Sequence, residues 1–182
     1  MADIWIFGYG SLIWRPEVEF IEQRLARVDG WVRRFWQGSH DHRGVPHAPG
    51  RVVTLVPESA GACHGVAYLI SAAVAQASFV LLDHREKNGF ERHDVSLAFA
   101  DEIRTSGVVY IAAKGNEAYL GPAPIDEMVH QIRNSVGPSG SNVAYLLELA
   151  AALRRLDVDD EHVFELERLV LLTEQTSPIE RT

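Results

Sequence analysis

Residues 3–11 read Asp3-Ile4-Trp5-Ile6-Phe7-Gly8-Tyr9-Gly10-Ser11. The dense apolar run that ends at Gly8 is typical of a short buried strand, and the glycines that follow predict a tight loop. Backbone N–H groups in such a loop can point together at a carboxylate or carbonyl oxygen and form an anion-binding nest; a plain structural turn is the alternative. A dinucleotide fingerprint would need a third glycine where this chain has Ile13, followed by a βαβ unit that the sequence does not show.

Further strands follow this stretch along the first two thirds of the chain. Alternating aromatic, β-branched and charged residues predict a half-buried strand over 27–35, and His40 to Arg51 is a polar loop. Apolar runs predict strands over 52–56 and 64–70, joined by a turn at Ser59-Ala60-Gly61, and a strand pair over 95–100 and 107–112.

One helix is predicted in the middle of the chain, and further helices dominate the last third. Ser71 suits the N-cap of a helix through about Leu82, and Asn88-Gly89 supplies a stop signal beyond it. Three more helices are predicted over 124–135, 143–156 and 160–171, with Pro124 in a first turn and Asn142 as a cap. Strands first and helices last indicate an α+β fold, a small curled sheet or barrel with helices packed outside. One domain over 1–172 and a flexible tail over 173–182 are expected.

Composition and charge limit the function classes. The 182 residues are 47% hydrophobic and 23% charged, with a net charge of −8, which disfavours a nucleic-acid-binding module. Residues 1–55 carry seven basic and six acidic side chains, so this part could hold an anionic small molecule. The start lacks the features of a signal peptide, and no apolar run is long enough to span a membrane. A cytoplasmic protein without a membrane partner is therefore expected.

The nucleophilic and metal-binding residue types form no specific pattern. Cys63 is the single cysteine, which excludes an internal disulfide and a thiolate zinc cluster. Next to it His64 would point to the opposite face of a strand, and Ser11 lacks the motif of an activated serine. Six of the eight histidines fall between His40 and His93 without metal-site spacing. We therefore expect solvated loop histidines and no metal site.

Glu86 is the candidate with the clearest chemistry. If the helix that begins near Ser71 ends here, the negative end of its dipole disfavours the carboxylate and raises the pKa of Glu86. A carboxyl in that position could act as a general base near neutral pH. The alternative is a solvated helix end where Arg85 and Glu86 are surface charges.

Several blocks, in order, resemble the ChaC-type γ-glutamylcyclotransferases, in particular the glutathione-specific branch. The similarity covers roughly residues 3 to 172. The matching blocks are Phe7-Gly8-Tyr9-Gly10-Ser11-Leu12-Ile13-Trp14-Arg15-Pro16, Gly38-Ser39-His40-Asp41-His42-Arg43-Gly44, Pro49-Gly50-Arg51-Val52-Val53-Thr54-Leu55, Gly65-Val66-Ala67-Tyr68, Leu82-Asp83-His84-Arg85-Glu86-Lys87-Asn88-Gly89-Phe90 and Ser141-Asn142-Val143-Ala144-Tyr145-Leu146.

The resemblance implies a γ-glutamylcyclotransferase-like small mixed β-barrel that converts glutathione to 5-oxoproline and Cys-Gly without metal or cofactor. It places the catalytic glutamate at Glu86 and implies a set of substrate-binding residues: Tyr9, Gly10, Ser11, Leu12 and Tyr145. Ser39 and Arg51 lie in matching blocks as possible support, and Phe90 stands where the family usually has tyrosine.

Two other interpretations of the function remain compatible with the same residues. The chain could be a cyclotransferase for another γ-glutamyl amine or peptide, or a non-catalytic γ-glutamyl-binding protein. Glutathione is the expected partner, nucleic acid and membrane are not, and the chain is expected to be a monomer or weak dimer.

Overall fold

A computed structural model describes residues 2–174 of the chain. Its main strands are β1 (Ile4–Gly8), β2 (Glu22–Ser39), β3 (Gly50–Ile70), β4 (Phe90–Phe99) and β5 (Arg104–Ala112). Its helices are α1 (Ala75–Arg85), α2 (Ile125–Asn134), α3 (Asn142–Arg155) and α4 (Glu161–Glu174), with a single 3-10 turn at Ser11–Ile13. Two short strands, β6 (Val136–Gly137) and β7 (Gly140–Ser141), pair immediately before α3.

The five main strands close into a barrel in the order β1-β3-β2-β4-β5. Neighbouring strands are antiparallel except for β1 and β5, whose parallel pairing closes the barrel. The parallel register pairs Ile6 with Val108 and Phe7 with Val109. The α+β class with a small mixed barrel, predicted from the sequence, is confirmed.

The region around residues 52–70 differs from the prediction of two separate strands. β3 runs from Gly50 to Ile70 as one strand, and the predicted turn at 59–61 is a local irregularity within it. There the pairing shifts between Asp29–Ala62 and Trp31–Pro57, opposite Gly30. Gly30 has a φ of +82°, which glycine adopts without the steric cost of a side chain. The polar bulge residues mimic a turn signal, but cross-strand pairing continues past them.

The helices lie close to where they were predicted, but the predicted N-cap residues Ser71 and Asn142 are wrong. Ser71 is not the side-chain cap of α1; its carbonyl accepts bonds from the amides of Val74 and Ala75, so the helix begins later. Ser141, rather than Asn142, caps α3 by accepting a bond from the amide of Ala144. α4 continues through Glu174, and the rest of the predicted tail, 175–182, lies outside the described residues.

Both faces of β1 are buried, which explains its continuous apolar run. Phe7 packs in a core cluster that includes α2, α3 and α4, while Ile6 packs in a second cluster with α1. Successive side chains of a strand point to opposite faces, so one short strand joins the two clusters. The loop after β1 is thereby held between α1 and α3. Within residues 2–174, no helix has the length and apolar character needed to cross a membrane.

Candidate active site

A cavity of about 180 Å³ opens where β1 ends, between the C-terminal end of α1 and the first turn of α3. Three features of the chain meet at this place: the loop after β1, the end of β2 with the loop that follows it, and the segment after α1. The residues that line the cavity are Phe7, Tyr9, Gly10, Ser11, Leu12, Arg15, Glu17, Gly38, Ser39, Asp41, His42, Arg43, Val52, Val53, Arg85, Glu86, Asn88, Phe90, Tyr110, Ser139 and Tyr145.

Glycines allow the loop over residues 9–12 to turn sharply at the end of β1. A Cβ at Gly8 would stand 2.7 Å from the Cβ of Leu12. A Cβ at Gly10 would stand 3.0 Å from a methyl carbon of Val53 and 3.1 Å from the hydroxyl of Tyr145. Any side chain at either position would therefore push the loop away from its neighbours.

All four residues of this loop line the cavity, and hydrogen bonds fix three of them. The Tyr9 hydroxyl donates to the carbonyl of Tyr110 at 2.8 Å. The Ser11 hydroxyl accepts a bond from Arg85 at 2.8 Å, and the carbonyl of Leu12 accepts one from Tyr68 at 2.8 Å. The first amides of a helical turn have no partner within that turn, so this segment offers N–H donors to a ligand. The anion-binding nest expected from the sequence stays a prediction.

Arg33 holds the loop over residues 9–12 from behind, and it could not be identified from the sequence. It is only 1% exposed, and its Nε donates to the carbonyl of Tyr9 at 2.6 Å. The same guanidinium donates to the carbonyl of His64 and to Asp160, both at 2.5 Å. In the sequence Arg33 is one of several charges in a half-buried strand, and nothing nearby signals the three acceptors around it.

Glu86 lies at the C-cap of α1, where its amide donates to the carbonyl of Leu82 at 2.8 Å. Its side chain is 16% exposed and lines the cavity together with the loop over residues 9–12. Burial raises the pKa of Glu86, Arg85 lowers it, and the charges of Asp41 and Glu17 raise it. The direction agrees with the sequence analysis, but the largest cause is removal from water rather than the helix dipole. The carboxyl is therefore poised to exchange a proton closer to neutral pH.

Tyr145 reaches the cavity from the first turn of α3. It is 5% exposed, its ring meets those of Phe35 and Trp14 edge-on, and the guanidinium of Arg43 lies 5.5 Å from its ring centre. The amide of Val53 donates to its hydroxyl at 3.5 Å, a long bond that leaves the phenolic proton free to donate. Burial raises the pKa of Tyr145 well above its ordinary value, so the phenol is neutral at physiological pH.

Of the two possible support residues, Ser39 and Arg51, only Ser39 lines the cavity. Ser39 lines the cavity, and its hydroxyl accepts a bond from the amide of Arg43 at 3.0 Å. Arg51 does not line the cavity; its guanidinium bonds the carbonyls of Phe35 and Gly121 at 3.0 and 3.1 Å and the side chain of Gln131 at 2.6 Å. Arg51 therefore joins β2 to α2 and to the segment before it.

Three cationic and three anionic side chains share the cavity lining. The cations are Arg15, Arg43 and Arg85, and the anions are Glu17, Asp41 and Glu86. Such a mixed lining suits a zwitterionic ligand that carries both carboxylates and an ammonium group. Arg43 and Arg85 belong to the blocks quoted in the sequence analysis, but their individual roles had no signal in residue spacing.

The other residues that the sequence singled out are Phe90, Cys63 and the histidines. Phe90 lines the cavity, so the position that usually carries tyrosine in the family is next to the ligand space. Cys63 is buried at 2% exposure outside the cavity lining, and burial raises its pKa to about 11. Across residues 2–174, no group of three or more His, Cys, Asp or Glu side chains could hold a metal ion.

Comparison with known proteins gives consistent matches. A family model described as ChaC-like protein matches residues 4–173. The chain is 42% identical to γ-glutamylcyclotransferase 2-3 of Arabidopsis thaliana, covering 90% of this chain and 86% of the relative. It is 38% identical to glutathione-specific γ-glutamylcyclotransferase 1 of Danio rerio, covering 94% and 91%. The crystal structure of a yeast γ-glutamyl cyclotransferase specific to glutathione superposes with a TM-score of 0.89 at 32% identity, covering 94% of this chain and 97% of that one.

Proposed function

The chain belongs to the ChaC-like family, and from that premise we propose that it is a glutathione-specific γ-glutamylcyclotransferase that forms 5-oxoproline and Cys-Gly. The observation that carries the proposal is the mostly buried carboxyl of Glu86, which shares one cavity with the glycine-bounded loop over residues 9–12, the proposed substrate loop. A protein that only bound the γ-glutamyl group would not require a carboxyl at this place.

In the proposed reaction, the α-amine of the γ-glutamyl unit attacks its own γ-carbonyl carbon. The new C–N bond closes a five-membered lactam, and the bond to the cysteinyl nitrogen breaks. Because nucleophile and electrophile share one molecule, holding the substrate folded supplies much of the rate; oriented intramolecular reactions reach effective molarities on the order of 10⁵–10⁸ M. No water is consumed, and neither a protein nucleophile nor a cofactor is required.

Glu86 carries the protons in this scheme. The ammonium must lose a proton before it can attack, and the departing amine must gain one. A single carboxyl can take the first proton and return it in the second step. The raised pKa of Glu86 suits both roles, because a strongly acidic carboxyl would accept the ammonium proton poorly.

The substrate loop and Tyr145 are proposed to hold the γ-glutamyl end. Amides of residues 10–12 can bind the α-carboxylate or the oxyanion that forms on the γ-carbonyl. The neutral Tyr145 hydroxyl lies beside Gly10, within reach of the same group. Ser39 supports this arrangement by holding the loop that carries Arg43.

We further propose a single-domain enzyme over residues 1–172 that works in the cytoplasm as a monomer or weak dimer. Its partner is the small-molecule substrate, without nucleic acid or membrane. The net charge of −8 supports the proposal that nucleic acid is not a partner.

An experiment in ¹⁸O-labelled water distinguishes lactam formation from hydrolysis. Purified protein is incubated with glutathione in ¹⁸O-labelled water, and the acyl product is analysed by mass spectrometry. Lactam closure gives unlabelled 5-oxoproline, whereas a hydrolase would give glutamate that carries one solvent oxygen. N-acetyl-glutathione serves as the matched control because its nitrogen cannot attack. Label in the acyl product, or ready cleavage of the N-acetyl substrate, would overturn the assignment.

The same assay separates the alternatives for the substrate. Other γ-glutamyl amines and peptides are compared with glutathione by kcat/KM. A clear preference for glutathione is expected. If another γ-glutamyl compound were turned over much better, the lactam chemistry would stand and the substrate assignment would fall. Binding of glutathione without any product would instead indicate a non-catalytic γ-glutamyl-binding protein.

A further inference from the structure

Arg85 contacts both the substrate loop region and the candidate acid–base group. It is the last residue of α1, and its side chain is 18% exposed. Its Nη2 donates to the hydroxyl of Ser11 at 2.8 Å, and its Nη1 donates to the carbonyl of Arg15 at 2.8 Å and to the carboxylate of Glu17 at 2.9 Å. Its Nε lies 3.4 Å from Oε1 of Glu86.

We propose that Arg85 is a positioning residue that holds the substrate loop and the Glu86 carboxylate in one arrangement and stabilises the negative charge of that carboxylate. This inference rests on the proposed function of Glu86. Arg85 acts through its neighbours: it fixes where Ser11 stands and how much Glu86 favours its ionised form. A guanidinium suits this task because its planar fork presents several donors in fixed directions.

Charged and titratable groups reach Glu86 from several elements. Arg85 comes from α1, Glu17 from the segment after the 3-10 turn, and Asp41 from the loop after β2. The phenols at the end of β1, on β5 and on α3 also interact with it; these are Tyr9, Tyr110 and Tyr145. The cations Arg15 and Arg43 line the same cavity.

Two opposite influences therefore set the state of Glu86. Burial, Asp41 and Glu17 favour the protonated acid, while Arg85 favours the carboxylate. Without Arg85, the enzyme would need a higher pH to have its base available. The 3.4 Å separation makes this influence substantial, since an arginine beside a carboxyl shifts its pKa by about 1–3 units.

The test measures kcat/KM against pH for the wild type and three variants. Arg85→Gln should move the acidic limb up by about one pH unit and raise KM, because both the charge and the loop contacts are lost. Arg85→Lys should return the limb towards the wild-type position while KM stays raised, because a single ammonium cannot serve the same set of acceptors. Glu17→Gln removes a negative charge that acts on Glu86 and should move the limb down.

Ser11→Ala is the matched control for the loop contact. It breaks the bond to Arg85 without a change of charge, so KM should rise while the acidic limb stays in place. A role of Arg85 that was only structural would lower the amount of folded protein but would not move the limb in opposite directions for Arg85→Gln and Glu17→Gln.

A direct titration keeps this inference separate from the proposed function. The carboxyl of Glu86 is followed by ¹³C NMR in glutamate-labelled protein and is identified as the signal missing from Glu86→Gln. If the wild type formed no 5-oxoproline, the proposed function would fall, and the titration would still decide the influence of Arg85. If Glu86 titrated alike in wild type, Arg85→Gln and Glu17→Gln, the inference would be overturned. Should Arg85→Gln not fold, Arg85→Met is titrated in its place, and a Glu86 signal that titrates as in the wild type overturns the inference.

Discussion

Glu86 is the one side chain whose removal should separate binding from turnover. Glu86→Gln keeps the size and the hydrogen-bonding capacity of the side chain but removes the proposed proton carrier. Since general acid–base groups contribute about 10²–10⁴-fold, kcat should fall by that factor while glutathione still binds. Steady-state kinetics give kcat, and isothermal titration calorimetry gives the Kd. A variant that kept half of the wild-type kcat would place the proton transfer elsewhere.

Cys63→Ser is the matched control for that substitution. Cys63 is a potential nucleophile, but it is buried outside the cavity lining, and its raised pKa keeps it a thiol at neutral pH. The kcat of the folded Cys63→Ser variant should therefore equal that of the wild type. Loss of kcat in this variant would reopen a thiol mechanism.

At the residue scale, local sequence predicted what depends on the local chain. The glycines around Tyr9 and the position of Glu86 at the end of a helix follow from spacing. Arg33 could not be found this way, because its acceptors on Tyr9, His64 and Asp160 come together only when the barrel closes. The cause of the raised pKa of Glu86 escaped prediction for the same reason, since burial depends on which loops cover it.

At the element scale, Asn142 connects α3 to β3 and should dominate the stability of that junction. It is 0% exposed; its Oδ1 accepts from the amide of Arg51 at 2.6 Å, and its Nδ2 donates to the carbonyl of Arg51 at 2.7 Å. Asn142→Ala leaves two buried backbone groups unpaired, at about 1–3 kcal/mol each. The free energy of unfolding, measured by urea titration, should fall accordingly.

Ser141→Ala, one residue earlier, is the control for Asn142→Ala. It removes only the N-cap bond to the amide of Ala144, which costs about 1 kcal/mol. If Ser141→Ala destabilised the protein as much as Asn142→Ala, the bond pair to Arg51 would not be the main tie between α3 and the barrel.

The junction of α3 with β3 also shows which local features could be predicted from the sequence. The sequence predicted a helix over 143–156 with Asn142 as its cap, but Ser141 and Asn142 are equally good caps in sequence. Tertiary contact decides between them, because Asn142 is used to bond Arg51. In β3, the polar segment at 59–61 resembles a turn, and only the pairing of the partner strand across Gly30 keeps the strand continuous.

At the scale of the whole molecule, closure of the barrel creates the site. The parallel pair of β1 and β5 joins residues about a hundred positions apart, and no local pattern specifies that pairing. The order of strands before helices predicted the α+β class and left a curled sheet or a barrel open, and the resemblance implied the mixed barrel. Closure also brings α4 against β2, where His162 accepts a hydrogen bond from the amide of Phe35 at 3.1 Å.

That contact predicts a pH dependence of stability for the whole fold. Burial lowers the pKa of His162 to about 4, and the nearby guanidinium groups lower it as well. The unfolded chain takes up a proton near its ordinary pKa of about 6.5, while the folded chain does not until about pH 4. The contribution of His162 to the free energy of unfolding is therefore complete above pH 6.5. It falls as the pH drops towards 4, and the loss is about 2 kcal/mol at pH 5.

His162→Gln isolates this contribution, because glutamine offers an acceptor to Phe35 and does not titrate. The raised pKa of Glu86 acts in the opposite sense, since there the folded chain holds the proton more tightly than the unfolded chain. Glu86 is present in both proteins, so its contribution cancels when the two are compared. Urea unfolding at pH 7.5 and pH 5 should show a larger loss for the wild type than for His162→Gln. Equal losses would mean that His162 is not held neutral between α4 and β2.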